Sequence, residues 1–90
     1  MLKYSIVDAI EKKCKTTGYT PWRIGLTHDI DDRKAYWQNH ENDKLILWED
    51  WKANSLSDAQ DIESHFINKG MKGGTGGDLS AYKDVFIYVF

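Results

Sequence analysis

Ninety residues, 41% hydrophobic and 29% charged, fit a single domain (1–90) with a small core and exclude a disordered tail. The longest apolar run, residues 85–90, is far short of the roughly 20 residues of a membrane span, no apolar signal segment follows Met1, and the lone Cys14 excludes a disulfide framework. A cytoplasmic protein without a membrane partner is expected, and its net charge of −2 argues against a nucleic-acid coat while leaving room for a catalytic domain with local positive charge.

Residues 3–15 read as a helix, with Ile6, Val7, Ile10 and Cys14 on one face and Gly18 just past its end. The aromatic, β-favouring stretch 19–27 reads as a strand, best over 22–26, with Pro21 at its entry. Asp29 caps a second helix over 30–39, where Asp31 and Asp32 oppose the positive end of the helix dipole. Residues 44–51 alternate loosely, Leu45, Leu47, Glu49 and Trp51 against Ile46, Trp48 and Asp50, which predicts a second strand. Ser55 or Ser57 caps a third helix over 58–68 that turns Ala59, Ile62 and Phe66 inward, with Ile67 a further candidate for that side. Gly70 ends it. Residues 85–90 are apolar throughout, the pattern of a strand buried on both faces at the centre of a sheet. The expected fold is α+β, a three-stranded sheet flanked by three helices.

The stretch from Arg23-Ile24-Gly25-Leu26-Thr27 to Arg33 resembles the second motif of the GIY-YIG nuclease domain. In that family a strand ends in Tyr-Ile-Gly, a Thr or Ser often stands two residues on, and an Arg follows eight after the Gly on a helix. Gly25, Thr27 and Arg33 have that spacing, and Glu63, within Ala59-Gln60-Asp61-Ile62-Glu63, stands where the family carries a metal-binding Glu. The first motif, Gly-Ile-Tyr on an N-terminal strand, is missing from its usual place. Phe86-Ile87-Tyr88 at the other end resembles it, so the C-terminal strand would fill the place of the family's first. The chain departs from the pattern at Arg23, which stands at the second Tyr, and at Phe86, which stands at the first Gly. Tyr19, Tyr36 or Tyr88 would then have to supply the lost phenol. The resemblance covers residues 22–68 and implies a metal-dependent phosphodiesterase on nucleic acid, or a relative that has lost the activity.

Such chemistry needs a cation against the developing charge, a cationic side chain on the phosphate and a proton acceptor. Glu63 offers a hard oxygen to Mg²⁺ or Mn²⁺, and Arg33 can fork two hydrogen bonds onto a phosphate. Tyr88 is the candidate phenol, while His40 or His28 could relay a proton near neutrality. Arg23, Thr27, Lys69 and Lys72 complete the set as substrate-binding candidates. Each has a plainer reading: Glu63 as a solvated helix residue, Arg33 as a partner of Asp29, His28 as a turn residue. The segment 69–77, with four glycines among residues 73–77 and two flanking lysines, is either a mobile connection or a phosphate-contacting loop. Residues 70–78 are expected to be the most mobile internal stretch. The rival function is a non-catalytic interaction module, possible as a homodimer, that uses exposed aromatics such as Trp48 or Trp51.

Overall fold

The computed structural model describes the backbone of residues 1–40, 42–73 and 79–90, and the side chains of all of these except 42–44. In chain order the elements are α1 (Lys3–Cys14), β1 (Arg23–Thr27), α2 (Ile30–His40), a 3₁₀ segment (Asn42–Leu47), β2 (Glu49–Lys52), α3 (Leu56–Asn68), β3 (Lys72–Gly73) and β4 (Phe86–Val89). The α+β class stands, with a sheet of four strands rather than three, in the order β2-β4-β1-β3. β4 runs antiparallel to both β1 and β2, and β3 lies parallel to β1. No described helix is long and apolar enough to cross a membrane.

The local chemistry places the helix ends. Gly18 takes φ +74° and bonds its N–H to the Cys14 carbonyl at 2.8 Å, closing α1. Asp29 Oδ1 accepts from the Asp32 N–H at 3.1 Å, and the Ser55 hydroxyl accepts from the Asp58 N–H at 3.1 Å, so Ser55 rather than Ser57 caps α3. Ile6 and Ile10 of α1, Ile62 and Phe66 of α3, and Ile24, Trp51, Ile87 and Val89 of the sheet form the main core. A smaller cluster on the opposite sheet face joins Trp37, Tyr88 and Phe90, with Leu45 and Trp48 packed against it.

Two segments differ from the sequence expectation. Residues 44–47 belong to the 3₁₀ segment, and the strand starts only at Glu49. Leu45 and Trp48 are three apart, so a three-residue turn aims both at Tyr88 and Phe90, whereas a strand would send them to opposite faces. The second difference is β3, inside the glycine-rich connection. Gly70 at φ +117° turns the chain sharply after α3, Met71 drops into the core, and the Lys72 N–H bonds the Trp22 carbonyl at 3.0 Å. The predicted mobility of 70–78 lies, for 74–78, outside the described residues.

Candidate active site

Strand alternation sorts β1 into two rows. Ile24 and Leu26 face the main core, which leaves Arg23, Gly25 and Thr27 on the face of the smaller cluster. On β4, Ile87 and Val89 take the core side and Tyr88 the other. The register sets Tyr88 directly opposite Gly25. The phenol crosses the strand so closely that a Cβ on residue 25 would sit inside the contact distance of the Tyr88 hydroxyl and Cζ. Trp48 stacks on the Tyr88 ring at 4.7 Å with 5° between planes, and its own indole N–H is held by Asp50 at 2.8 Å. Trp37 of α2 donates its indole N–H to the Tyr88 hydroxyl at 2.9 Å.

Charged side chains from β1, α2 and α3 act electrostatically on that phenol. Arg23 lies 4.6 Å over the Trp37 ring and donates to the Gly73 carbonyl. Arg33 comes from α2 and lies 5.1 Å over the Tyr36 ring. Glu63 comes from α3. Burial raises the Tyr88 pKa above the ordinary phenol value, opposed by the Trp37 hydrogen bond and the Arg33 charge, helped by Glu63 and opposed again by Arg23. Burial also raises the Glu63 carboxyl above its usual value. α3 packs on the other sheet face, but β3 pairs with β1 only at Arg23 and Ile24. From α3 the charge of Glu63 bears on the phenol. Tyr88 is 0% exposed, with Arg23 and Arg33 half-buried.

The other candidates sit elsewhere or do other work. Thr27 is buried, and its hydroxyl both donates to the Asp29 carbonyl and accepts from the Asp29 N–H at 3.0 Å, a turn that sets up α2. His40 is exposed at the end of α2, stacked on Tyr36 at 4.3 Å with Nδ1 2.7 Å from the Tyr36 carbonyl. His28 stacks face to face on Tyr82 at 3.6 Å. Lys72 is exposed and pairs in register with Arg23, which places it on the same sheet face. Lys69 turns the other way and lies 5.7 Å over Tyr19, whose hydroxyl donates to Glu11 at 2.7 Å. The two lysines therefore serve different sides of the sheet. Trp51 is buried in the main core and Trp48 is stacked on Tyr88 and Phe90, so neither forms an exposed aromatic patch.

Sequence reading missed Trp37 as a member of this site. The available signal was its place four residues after Arg33, which puts both on one side of α2. Among the described residues no group of three or more His, Cys, Asp and Glu could hold a metal ion. Set against known proteins, the chain matches no family model, no curated protein and no solved structure.

Proposed function

We propose that the chain is a divalent-metal-dependent phosphodiesterase acting on nucleic acid, a rearranged relative of the GIY-YIG nucleases in which β4 takes the place of the family's first strand. One observation carries the reading: Arg33 of α2 and Glu63 of α3 both bear electrostatically on the buried Tyr88 phenol, which lies against Gly25 of β1. Charges from two helices that bear on one buried phenol are more than solvated surface groups would give. The convergence favours a site.

The two guanidinium groups are the phosphate-binding elements, each able to present parallel N–H donors to a pair of phosphate oxygens. Arg23, anchored on the Trp37 face and the Gly73 carbonyl, is the fixed member. Lys72, beside it in register, adds a cation on the neighbouring strand β3. No hydrogen bond or ion pair engages the Glu63 carboxylate among the described residues, which suits it to hold Mg²⁺ or Mn²⁺. One carboxylate is enough for a cation that keeps most of its waters and shares the substrate phosphate. When bound, the cation supplies neutralisation of the charge that develops on the phosphoryl group.

Arg33→Ala tests the reading. Wild type should nick plasmid DNA only with Mg²⁺ or Mn²⁺, and the variant should lose nicking by a factor of about a hundred or more at a nearly unchanged melting temperature. Unfolding of the variant would make Arg33 structural. Metal-independent or absent nicking by wild type would remove the active enzyme and leave a relative that kept the fold alone. A second reading, an interaction module that self-associates or binds another protein, is favoured by Ile46 and Leu47, which are 87% and 54% exposed on the 3₁₀ segment.

A further inference from the structure

Hydrogen-bond phase decides which side of β2 is free. In an antiparallel pair, alternate residues bond the partner strand and the others direct their backbone groups away from it. Arg23 and Phe90 exchange both backbone bonds, at 2.8 and 3.1 Å, so Phe90, Tyr88 and Phe86 bond towards β1. The Val85 carbonyl accepts from the Ala53 N–H at 2.9 Å, so Ile87 and Val89 bond towards β2. On β2, Glu49 and Trp51 therefore face β4, while Asp50 and Lys52 direct their backbone groups out of the sheet. No described strand pairs with that side, since β2 ends the sheet. The outward Lys52 carbonyl does accept a donor, the Met1 amine at 3.0 Å, which also bonds Asn54 Oδ1 at 3.0 Å.

We infer that the free edge of β2 pairs with β2 of a second copy of this chain, antiparallel about a two-fold axis at Trp51. This rests on the self-association reading, not on cleavage, and it places the main contact on β2 rather than on Ile46 and Leu47. Outward residues of one strand must oppose outward residues of the other, which within β2 allows three pairings. Asp50 against Asp50, or Lys52 against Lys52, sets like charges directly opposite each other. The third sets Asp50 of each copy against Lys52 of the other, with the two Trp51 residues meeting across the axis. The edge charges thus oppose every register but one. Both groups have capacity for a further partner. Asp50 holds the Trp48 indole with one carboxylate oxygen, and the Lys52 ammonium, with three donors, spends one on Asp84 at 3.0 Å. The Asp50 N–H of the second copy takes over the Lys52 carbonyl from the Met1 amine. Helix α1 runs along the same edge, with Lys13 paired to Glu49 at 2.9 Å. Ser5 and Ala9, on the helix stripe of Lys13, are small and leave room beside the strand. Ile46 and Leu47, exposed just before β2, lie at the two ends of the shared ladder.

Sedimentation equilibrium of the whole chain at rising concentration and low salt should show a monomer–dimer equilibrium that added salt weakens. Asp50→Lys and Lys52→Asp should each weaken dimerisation about tenfold or more, because each turns two attractive cross-strand pairs into two like-charge pairs. An equimolar mixture of the two variants should restore the dimer, since like charges in one copy then face opposite charges in the other. Recovery in the mixture also shows that neither variant has lost its fold. Wild type that stays monomeric would overturn the inference and remove self-association altogether. A dimer indifferent to salt and to charge at positions 50 and 52 would overturn it too, and would move the contact to Ile46 and Leu47. Variants that keep the wild-type circular dichroism yet stay monomeric when mixed would count against it equally. If the charge pattern governs dimerisation in a protein that never nicks DNA, the phosphodiesterase reading fails and the β2 pairing stands.

Discussion

At residue 25 the backbone of β1 and the phenol of Tyr88 compete for the same space, and only a residue without a Cβ leaves room for both. Gly25→Ala should therefore cost about 1–3 kcal/mol, the usual penalty for forcing an extra carbon into a packed site. Urea unfolding of Gly25→Ala in wild type and in a Tyr88→Ala background would check the cause. The cost should largely vanish once the ring is gone, and equal costs in both backgrounds would show that the ring is not the obstacle. Gly25 was legible in the sequence as part of a motif, but its physical role was not, because the opposing residue lies 63 positions further along the chain. Trp37 shows the same limit. Its spacing from Arg33 was visible, while its hydrogen bond depended on which strand lies beneath α2.

Helices α1 and α3 each carry a glutamate whose environment is set by what the helix packs against. Burial raises the Glu63 carboxyl in the folded protein, so the folded state holds that proton where the unfolded chain has released it. Stability then falls as pH rises from the unfolded value of about 4.3 through the raised folded one. Glu63→Gln should be more stable than wild type at neutral pH, the difference disappearing in acid. Glu11 behaves oppositely. The Tyr19 hydroxyl, against some desolvation, holds its carboxyl below the usual value, with His65 and Lys69 adding to the effect. Its contribution is present above the unfolded value and lost as pH falls through the depressed one, so Glu11→Gln should weaken the protein at neutral pH only. Denaturant midpoints across the acid range would show the two curves diverging with opposite sign; parallel curves would contradict both assignments. Among the elements, β4 was readable because six consecutive apolar residues need cover on both faces, and it lies between β1 and β2. The segment before β2 misled because loose alternation over a few residues fits a period of three as well as two. β3 was hidden, since Met71 is the one apolar residue among glycines and lysines and its burial depends on the turn at Gly70.

Across the whole molecule, the sheet separates two unlike faces. One carries α1, α3 and the main apolar core. The other presents Arg23, Arg33 and Lys72 around the Trp37–Tyr88 pair, with Asp50 in register beside Tyr88, on a chain of net charge −2. We propose that these cations and Glu63, which bears on Tyr88 from α3, form one metal-and-phosphate site. Mn²⁺ titrated into ¹⁵N-labelled protein, in the presence of a cleavage-resistant oligonucleotide, tests it most directly through paramagnetic broadening. The amide signals of Gly25, Arg33, Glu63 and Tyr88 should broaden first and together, and Glu63→Gln should abolish that pattern. Broadening confined to Asp31 and Asp32, or to Asp58 and Asp61, with Glu63 and Tyr88 untouched, would contradict it.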